Sequence, residues 1–269
     1  AAVLSLAEIK QMANEMLACI EWMEKITGRK YNDDLLREAV RNECLTTSLW
    51  AAICTLNKNI PAPLDQKSMF SLYVISALIR HRKESVDFYK TLLDEVKDRV
   101  ANQIAALPTE RCRILDDSQP PWYFLRLYRH MEDYGAVTIG SHYSFLLSGA
   151  FSEQADGTWG PSKTPDERGI PMKTREDIVR ANVKAFTQSG RDGREISTPD
   201  KPGKINTLLN MAKAFKVNGM LRPSWRGGVG CDYCSREVML AMAAAGFSVM
   251  TYEGDQPGDR TDFDDNRML

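Results

Sequence analysis

Six cysteines, three histidines and 36 acidic side chains are the groups in this 269-residue chain best suited to hold a metal or move a proton. Cys231 is the most informative of them. It follows Gly227-Gly228-Val229-Gly230 and precedes a segment of helical character from Ser235. A helix N-terminus stabilises negative charge and lowers a thiol's pKa. Thiolates are what soft metals and iron–sulfur clusters require. Glycines such as Gly230 let a bulky cofactor approach the backbone. The alternative reading is a buried thiol beside a packing turn. Cys234 completes a Cys-x-x-Cys, a spacing shared by zinc sites and dithiol redox motifs. No second close pair exists to finish a zinc site, and Cys234 falls where the first helical turn can bury it.

His142 is expected at a strand end, where an imidazole is well placed for acid–base work or ligation. Ser141 stands beside it. His81 lies in the basic run Arg80-His81-Arg82-Lys83, a solvated helix end, and His130 lies inside a helix among charged neighbours. Cys19, Cys44 and Cys54 fall within helices and read as structural thiols. Asp116, Asp117, Glu253 and Asp255 end predicted strands, where they cap the following helices or meet substrate groups. The run Asp259–Asp265 reads as charged surface. No Gly-rich phosphate loop of the P-loop type is present, so the chain is not expected to hydrolyse ATP itself. A Gly-x-Ser-x-Gly nucleophile elbow is absent too.

The elements that must position these residues fall into two regions. Residues 1–107 read as helical. Apolar positions at Leu6, Ile9, Met12, Ala13, Met16, Leu17, Ile20 and Met23 trace one helix face, and Thr27-Gly28 stops it. Asn32 caps a second helix. Pro61-Ala62-Pro63 breaks the chain, a third helix follows Asp65 through Leu78, and a fourth runs from about Ser85 to Leu107. Residues 108–269 change period. Strands are predicted at Cys112–Leu115, Ala136–Ile139, Gly219–Leu221 and Ser248–Tyr252. Helices lie between them, after Pro120-Pro121, over 175–187, over 204–216 and over 235–245. Residues 150–174 and 189–203 read as loops, and long loops in compact domains are often functional. The fold class is α/β: a helical N-terminal region followed by a doubly wound, mainly parallel four-stranded sheet. In such sheets ligands bind outside the carboxyl ends of the strands.

The totals limit the function classes. Thirty-five basic and 36 acidic side chains give a net charge of −1, with 43% hydrophobic and 26% charged residues. That balance offers no basic footprint for nucleic acid and no composition for disorder. No apolar run is long enough for a membrane span, and residues 1–20 are interrupted by charge as a signal peptide is not. The expectation is a cytoplasmic protein with reduced thiols, and no disulfide framework.

An ordered set of strings carries a resemblance: Arg113-Ile114-Leu115-Asp116, Gly135-Ala136-Val137-Thr138-Ile139-Gly140-Ser141-His142, Gly230-Cys231, and Tyr252-Glu253-Gly254-Asp255-Gln256-Pro257-Gly258-Asp259-Arg260. Their order and context resemble the benzoyl-CoA reductase and 2-hydroxyacyl-CoA dehydratase subunits. The segment Glu24–Lys30 is similar to that family's linker helices. Pro120-Pro121-Trp122-Tyr123-Phe124 and Gly140-Ser141-His142-Tyr143 look closer to benzoyl-CoA reductase. The resemblance covers nearly the whole chain. It implies subunits that pair with a homologous second subunit as heterodimers around a 4Fe–4S cluster. A separate ATP-dependent activator, with ferredoxin upstream, delivers low-potential electrons. Those electrons drive ring reduction of an aromatic acyl-CoA or, alternatively, dehydration of a 2-hydroxyacyl-CoA. A third alternative is a non-catalytic heterodimer partner.

On this resemblance Cys231 is the cluster ligand, with Gly230 beside it and Cys234 as a weaker second candidate. His142 and Ser141 line the same pocket, and the 150–174 loop helps cover the acyl-CoA. The sequence departs from the family's pattern in three ways. It begins at the helices, without the preceding α/β domain that carries a cysteine ligand. Gly140-Ser141-His142 stands where a further cysteine usually follows the second strand. It stops at Leu269, before a further helix, as a fragment would.

Overall fold

The computed structural model describes residues 6–117, 119–122, 124–154, 158–194, 203–225 and 235–254. Five helices come first: α1 (Leu6–Thr27), α2 (Asp33–Leu56), α3 (Gln66–Leu72), α4 (Val74–Ile79) and α5 (Lys83–Ala101). The boundaries follow local chemistry. Gly28 closes α1 in a left-handed conformation (φ +67°) that side chains resist. The Asn32 side chain accepts from the backbone N–H groups of Asp34 and Leu35, and Asp65 accepts from Ser68, so each caps the helix after it. The expected third helix is two, because the chain turns at Tyr73 between α3 and α4. The fourth ends at Ala101, six residues short of Leu107. Asn102 caps it and Gln103 takes a positive φ of 54°.

The sheet region follows as β1 (Cys112–Asp116), α6 (Arg126–Asp133), β2 (Ala136–Ser141), α7 (His142–Leu146), β3 (Phe151–Glu153), β4 (Trp159–Pro161), α8 (Arg175–Arg194), α9 (Gly203–Ala214), β5 (Gly219–Trp225), α10 (Ser235–Ala244) and β6 (Ser248–Gly254). Four strands form one parallel sheet in the order β2-β1-β5-β6. The chain moves outward from β1 to β2, then returns past β1 to β5 and β6. Right-handed crossovers therefore place α6 on one face and α9 and α10 on the other. This is the doubly wound arrangement expected from the sequence. The segment 150–174 is not wholly loop: β3 and β4 pair antiparallel within it.

One large core joins the helices to the sheet. Trp50, Ile53 and Cys54 of α2, Met69 and Phe70 of α3, Leu115, Val137, Ile139 and Met220 of the sheet, and Leu208 and Ala212 of α9 belong to the same buried cluster. Each large side chain buried here stabilises by about 1.5–3 kcal/mol. A smaller cluster of Phe124, Leu127, Leu221 and Tyr252 lies under α6 on the opposite face. At the amino-terminal edge the buried Arg113 ties the parts together. It donates to the carbonyls of Phe215 (2.7 Å), Asn59 (3.1 Å) and Asn57, and to Glu110 (2.6 Å).

Candidate functional site at the carboxyl edge of the sheet

The strand order reverses between β1 and β5, and in open α/β sheets ligands bind at that point, beyond the carboxyl ends. The ladder aligns Asp116 with Ser141 on one side and with Leu221 on the other. Successive strand residues point to opposite faces. Asp116, the last residue of β1, and Asp117, the residue after it, are therefore parted.

Asp117 turns to the α9 face. Its Oδ2 accepts from the Arg222 guanidinium of β5 and from the Lys204 ammonium of α9, the latter at 3.0 Å. Asp117 and Arg222 are both 0% exposed, and the Lys204 side chain keeps 11%. The other oxygen, Oδ1, is buried with no hydrogen-bond partner among the described residues. The Asp117 N–H continues the ladder by donating to the Leu221 carbonyl (3.1 Å).

Asp116 turns to the α6 face. The Tyr128 hydroxyl donates to its Oδ2, and the Asp117 N–H also donates to its Oδ1 (2.9 Å). Burial pushes the Asp116 carboxyl well above the usual carboxylate range, against the downward pull of Tyr128 and Arg222. Burial raises the Tyr128 and Tyr252 phenols on the same side as well. Neither acid caps α6, which starts at Arg126 after Leu125 with no side-chain cap. The capping expected for them gives way to buried pairing.

Ser141 is fully buried and is the N-cap of α7. Its hydroxyl accepts from the Ser144 N–H (2.9 Å) in a capping box. Gln66 of α3 donates to both Ser141 Oγ and Ser144 Oγ at 3.1 Å, and Trp50 Nε1 donates to the Ser144 carbonyl (2.9 Å). Gly140 makes this turn possible. At its φ of +154° a Cβ would lie 2.2 Å from the Phe145 ring. His142 is the first residue of α7, partly exposed, at the same edge. The next residue, Tyr143, joins an aromatic group: its hydroxyl and that of Tyr73 lie 3.3 Å apart, the Trp122 ring sits 6.2 Å from Tyr143, and the Phe70 ring sits 5.9 Å from Trp122.

Gly230, Cys231 and Cys234 lie outside the described residues, as do Asp255 and the run Asp259–Asp265. In sequence Cys231 lies between the end of β5 at Trp225 and the start of α10 at Ser235. The described cysteines do not offer a cluster ligand set. Burial raises the thiols of Cys44, to about 12, and of Cys54. Cys19 is exposed on α1, and Cys112 opens β1 at the opposite edge. Among the described residues no group of three or more His, Cys, Asp or Glu side chains is placed to hold a metal ion.

The partners of Asp117 were not foreseen. The third strand was expected to end at Leu221, which left Arg222 in a loop. The available signal was a charged residue directly following apolar residues of a parallel strand, because such strands are buried on both faces and a buried guanidinium needs a carboxylate.

A concavity lies beside the carboxyl end of α7. It is a cleft of about 280 Å³ whose walls include Glu43, Arg80, Leu147, Lys163, Arg168 and Phe186. Arg80 pairs with Glu43 at 3.5 Å. The 150–174 segment supplies one wall, so the cleft joins apolar surface to cationic groups.

The fold and this edge define a class: a doubly wound α/β protein whose strand ends gather buried charge and half-buried aromatic rings. The chain belongs to the family described as 2-hydroxyglutaryl-CoA dehydratase, D-component, which matches residues 6–267 and includes benzoyl-CoA reductase subunits. Its relatives include the α subunit of (R)-2-hydroxyglutaryl-CoA dehydratase of Acidaminococcus fermentans, 24% identical over 65% of this chain and 38% of that protein. The α subunit of (R)-phenyllactyl-CoA dehydratase of Clostridium sporogenes is 20% identical over 70% of this chain and 46% of that protein. A benzoyl-CoA reductase subunit of Thauera aromatica is 24% identical over 51% of this chain and 33% of that protein. The chain thus spans less than half the length of each of these relatives. The family typically binds a 4Fe–4S cluster. No described helix is long and apolar enough to cross a membrane.

Proposed function

We propose that this chain is part of a subunit of an iron–sulfur enzyme that removes water from a 2-hydroxyacyl-CoA. The observation that carries the reading is the family match across residues 6–267, alongside two relatives named as dehydratase α subunits. In this reading Cys231, beside Gly230, holds one corner of a 4Fe–4S cluster, with Cys234 as the weaker candidate. The bound cluster supplies a low-potential electron. The acyl group lies at the carboxyl edge of the sheet near His142. Ser141 holds the start of α7, and with it His142, in place. The CoA portion runs toward the cleft bounded by the 150–174 segment, where Lys163 and Arg168 meet its phosphates. The partners are a homologous second subunit and a separate ATP-dependent activator fed by ferredoxin, in the cytoplasm.

A second reading is dearomatising ring reduction of an aromatic acyl-CoA. The half-buried rings of Trp122 and Tyr143 beside Phe70 and Tyr73 favour it, as does the benzoyl-CoA reductase relative.

Anaerobic purification of the full subunit with its partner, followed by iron and sulfide analysis and EPR, tests the common core of both readings. A 4Fe–4S signal that disappears in Cys231→Ala is the expected result. Unchanged iron and activity in that variant would overturn the role of Cys231. Electron demand then separates the two reactions: dehydration consumes no net electrons, whereas ring reduction consumes them at every turnover.

A further inference from the structure

We propose that the groove between α1 and α2 holds the adenine ring of the CoA moiety, with the Asn182 side chain bonded to the edge of the base. This inference rests on the acyl-CoA reading and deepens it. Helices α1 and α2 both lie on α8. Ala13 and Ile20 of α1 pack against Val179 and Val183, and Val40 and Cys44 of α2 pack against Ile178 and Ala181. Between these two contacts runs a groove of about 170 Å³, lined by Met16, Ile20 and Met23 of α1, Leu36 and Val40 of α2 and Val179 of α8. An apolar cavity of about 150 Å³ is enough to bind benzene. The groove is open on its outer side, where Met16 and Cys19 are exposed, so a bicyclic base larger than benzene need not be wholly enclosed. One end meets the cleft beside α7, because Asn182 lines both. Along α2 the combined wall runs from Thr47 through Cys44 and Val40 to Leu36, and eleven residues of helix cover about 16 Å.

The lining narrows the occupant. A ligand that fills both compartments is long, polar at one end and apolar-faced at the other. The cleft presents Lys163, exposed on its wall, to a phosphate. The groove presents apolar side chains to the faces of a ring, with the ring of Tyr31 beside them as a stacking surface. A hydrocarbon tail would fill the groove but give the Asn182 amide nothing to bond. That amide has one acceptor and two donors. Adenine matches it, since a side-chain amide accepts from the N6 amino group while donating to N7. Guanine carries an oxygen in place of that amino group and loses half of the match. The nucleotide end of CoA passes from phosphate to ring in the same order as cleft and groove.

Alkylation of Cys19 reads occupancy of the groove, because this exposed thiol lines it. The full subunit with its partner is treated with iodoacetamide in the presence of acetyl-CoA, S-acetylpantetheine or adenosine 3′,5′-bisphosphate, and calorimetry measures the binding of each. At ten times its Kd a ligand fills about nine-tenths of the sites. Acetyl-CoA and the bisphosphate are therefore expected to slow Cys19 alkylation about tenfold. S-acetylpantetheine, which lacks the nucleotide, is expected to leave it unchanged. Guanosine 3′,5′-bisphosphate is expected to bind about tenfold more weakly than the adenosine form, a preference lost in Asn182→Leu. A merely structural role for Asn182 would weaken both nucleotides alike. Met16→Trp fills the groove from its exposed side and is expected to weaken acetyl-CoA while sparing S-acetylpantetheine; this variant serves if Asn182→Leu does not fold. Acetyl-CoA bound without protection of Cys19, equal protection by S-acetylpantetheine, a base preference unchanged in Asn182→Leu, or undiminished acetyl-CoA binding in Met16→Trp would overturn the inference and leave the acyl-CoA reading standing. No binding of acetyl-CoA would remove both.

Discussion

Replacing Arg222 by Met tests whether the carboxyl edge is held by charge. The substitution keeps most of the side-chain volume and removes one partner from a fully buried pair. Breaking such a pair costs about 3–5 kcal/mol, because the remaining charge is left in the interior. Asp117 keeps Lys204 at 3.0 Å, so the low end applies, about 3 kcal/mol. For a chain of this size that lowers Tm by roughly 6–12 °C. Urea and thermal denaturation of the unmodified protein and of Arg222→Met measure it. Adding Asp117→Asn to Arg222→Met removes the stranded charge and is expected to restore at least about 1 kcal/mol. A loss below about 1 kcal/mol in Arg222→Met, or a double variant as unstable as the sum of the singles, would refute the pairing as the stabilising contact.

Three further outcomes follow from the geometry. Gly140→Ala drives a Cβ into the Phe145 ring at 2.2 Å and is expected to destabilise by about 3 kcal/mol, with Phe145→Leu in the same chain restoring part of it; chemical denaturation reads both. Of the four described cysteines, Cys19 is expected to react with iodoacetamide at pH 8 in the native protein, while Cys44 and Cys54 stay unmodified until denaturant is added; peptide mass spectrometry separates them. The Tyr31 N–H, Arg175 and Lys30 hold Glu24 down from 4.5 to about 2. A depressed carboxyl contributes stability that is complete above its unfolded pKa and is lost as pH falls through the folded one. Helix α1 is therefore expected to loosen from α8 between about pH 4.5 and 2, and Glu24→Gln should flatten that dependence in hydrogen exchange of α1.

The parts of the fold that were legible in the sequence are those whose signal is local. Gly28 and Asn32 mark the ends of α1 and α2 because a positive φ and a capping side chain act within a few residues. Apolar runs marked all four parallel strands. Helix α7 escaped notice because it has only five residues, and its capping box begins on Ser141, the last residue of β2. Strands β3 and β4, three residues each, are too short to show a period. At the site, the carboxyl edge and its acids were legible from the rule that places ligands there. The long-range partners were not: Gln66 meets Ser141 across 75 positions, and Arg222 meets Asp117 across 105. Neither pairing leaves a local trace.

Strand β1 has a consequence for how this gene can change. Arg113, Leu115 and Asp117 serve one side of the sheet, while Ile114 and Asp116 serve the other. Losing or gaining a single codon between Arg113 and Asp117 would exchange the two sets. A guanidinium, a leucine and a carboxylate would all be sent to the wrong neighbours at once. Substitutions inside this stretch can be repaired one at a time, but a change in its length cannot. Among descendants of this sequence, the four-residue interval from Arg113 to Asp117 should therefore outlast the identity of every residue between them.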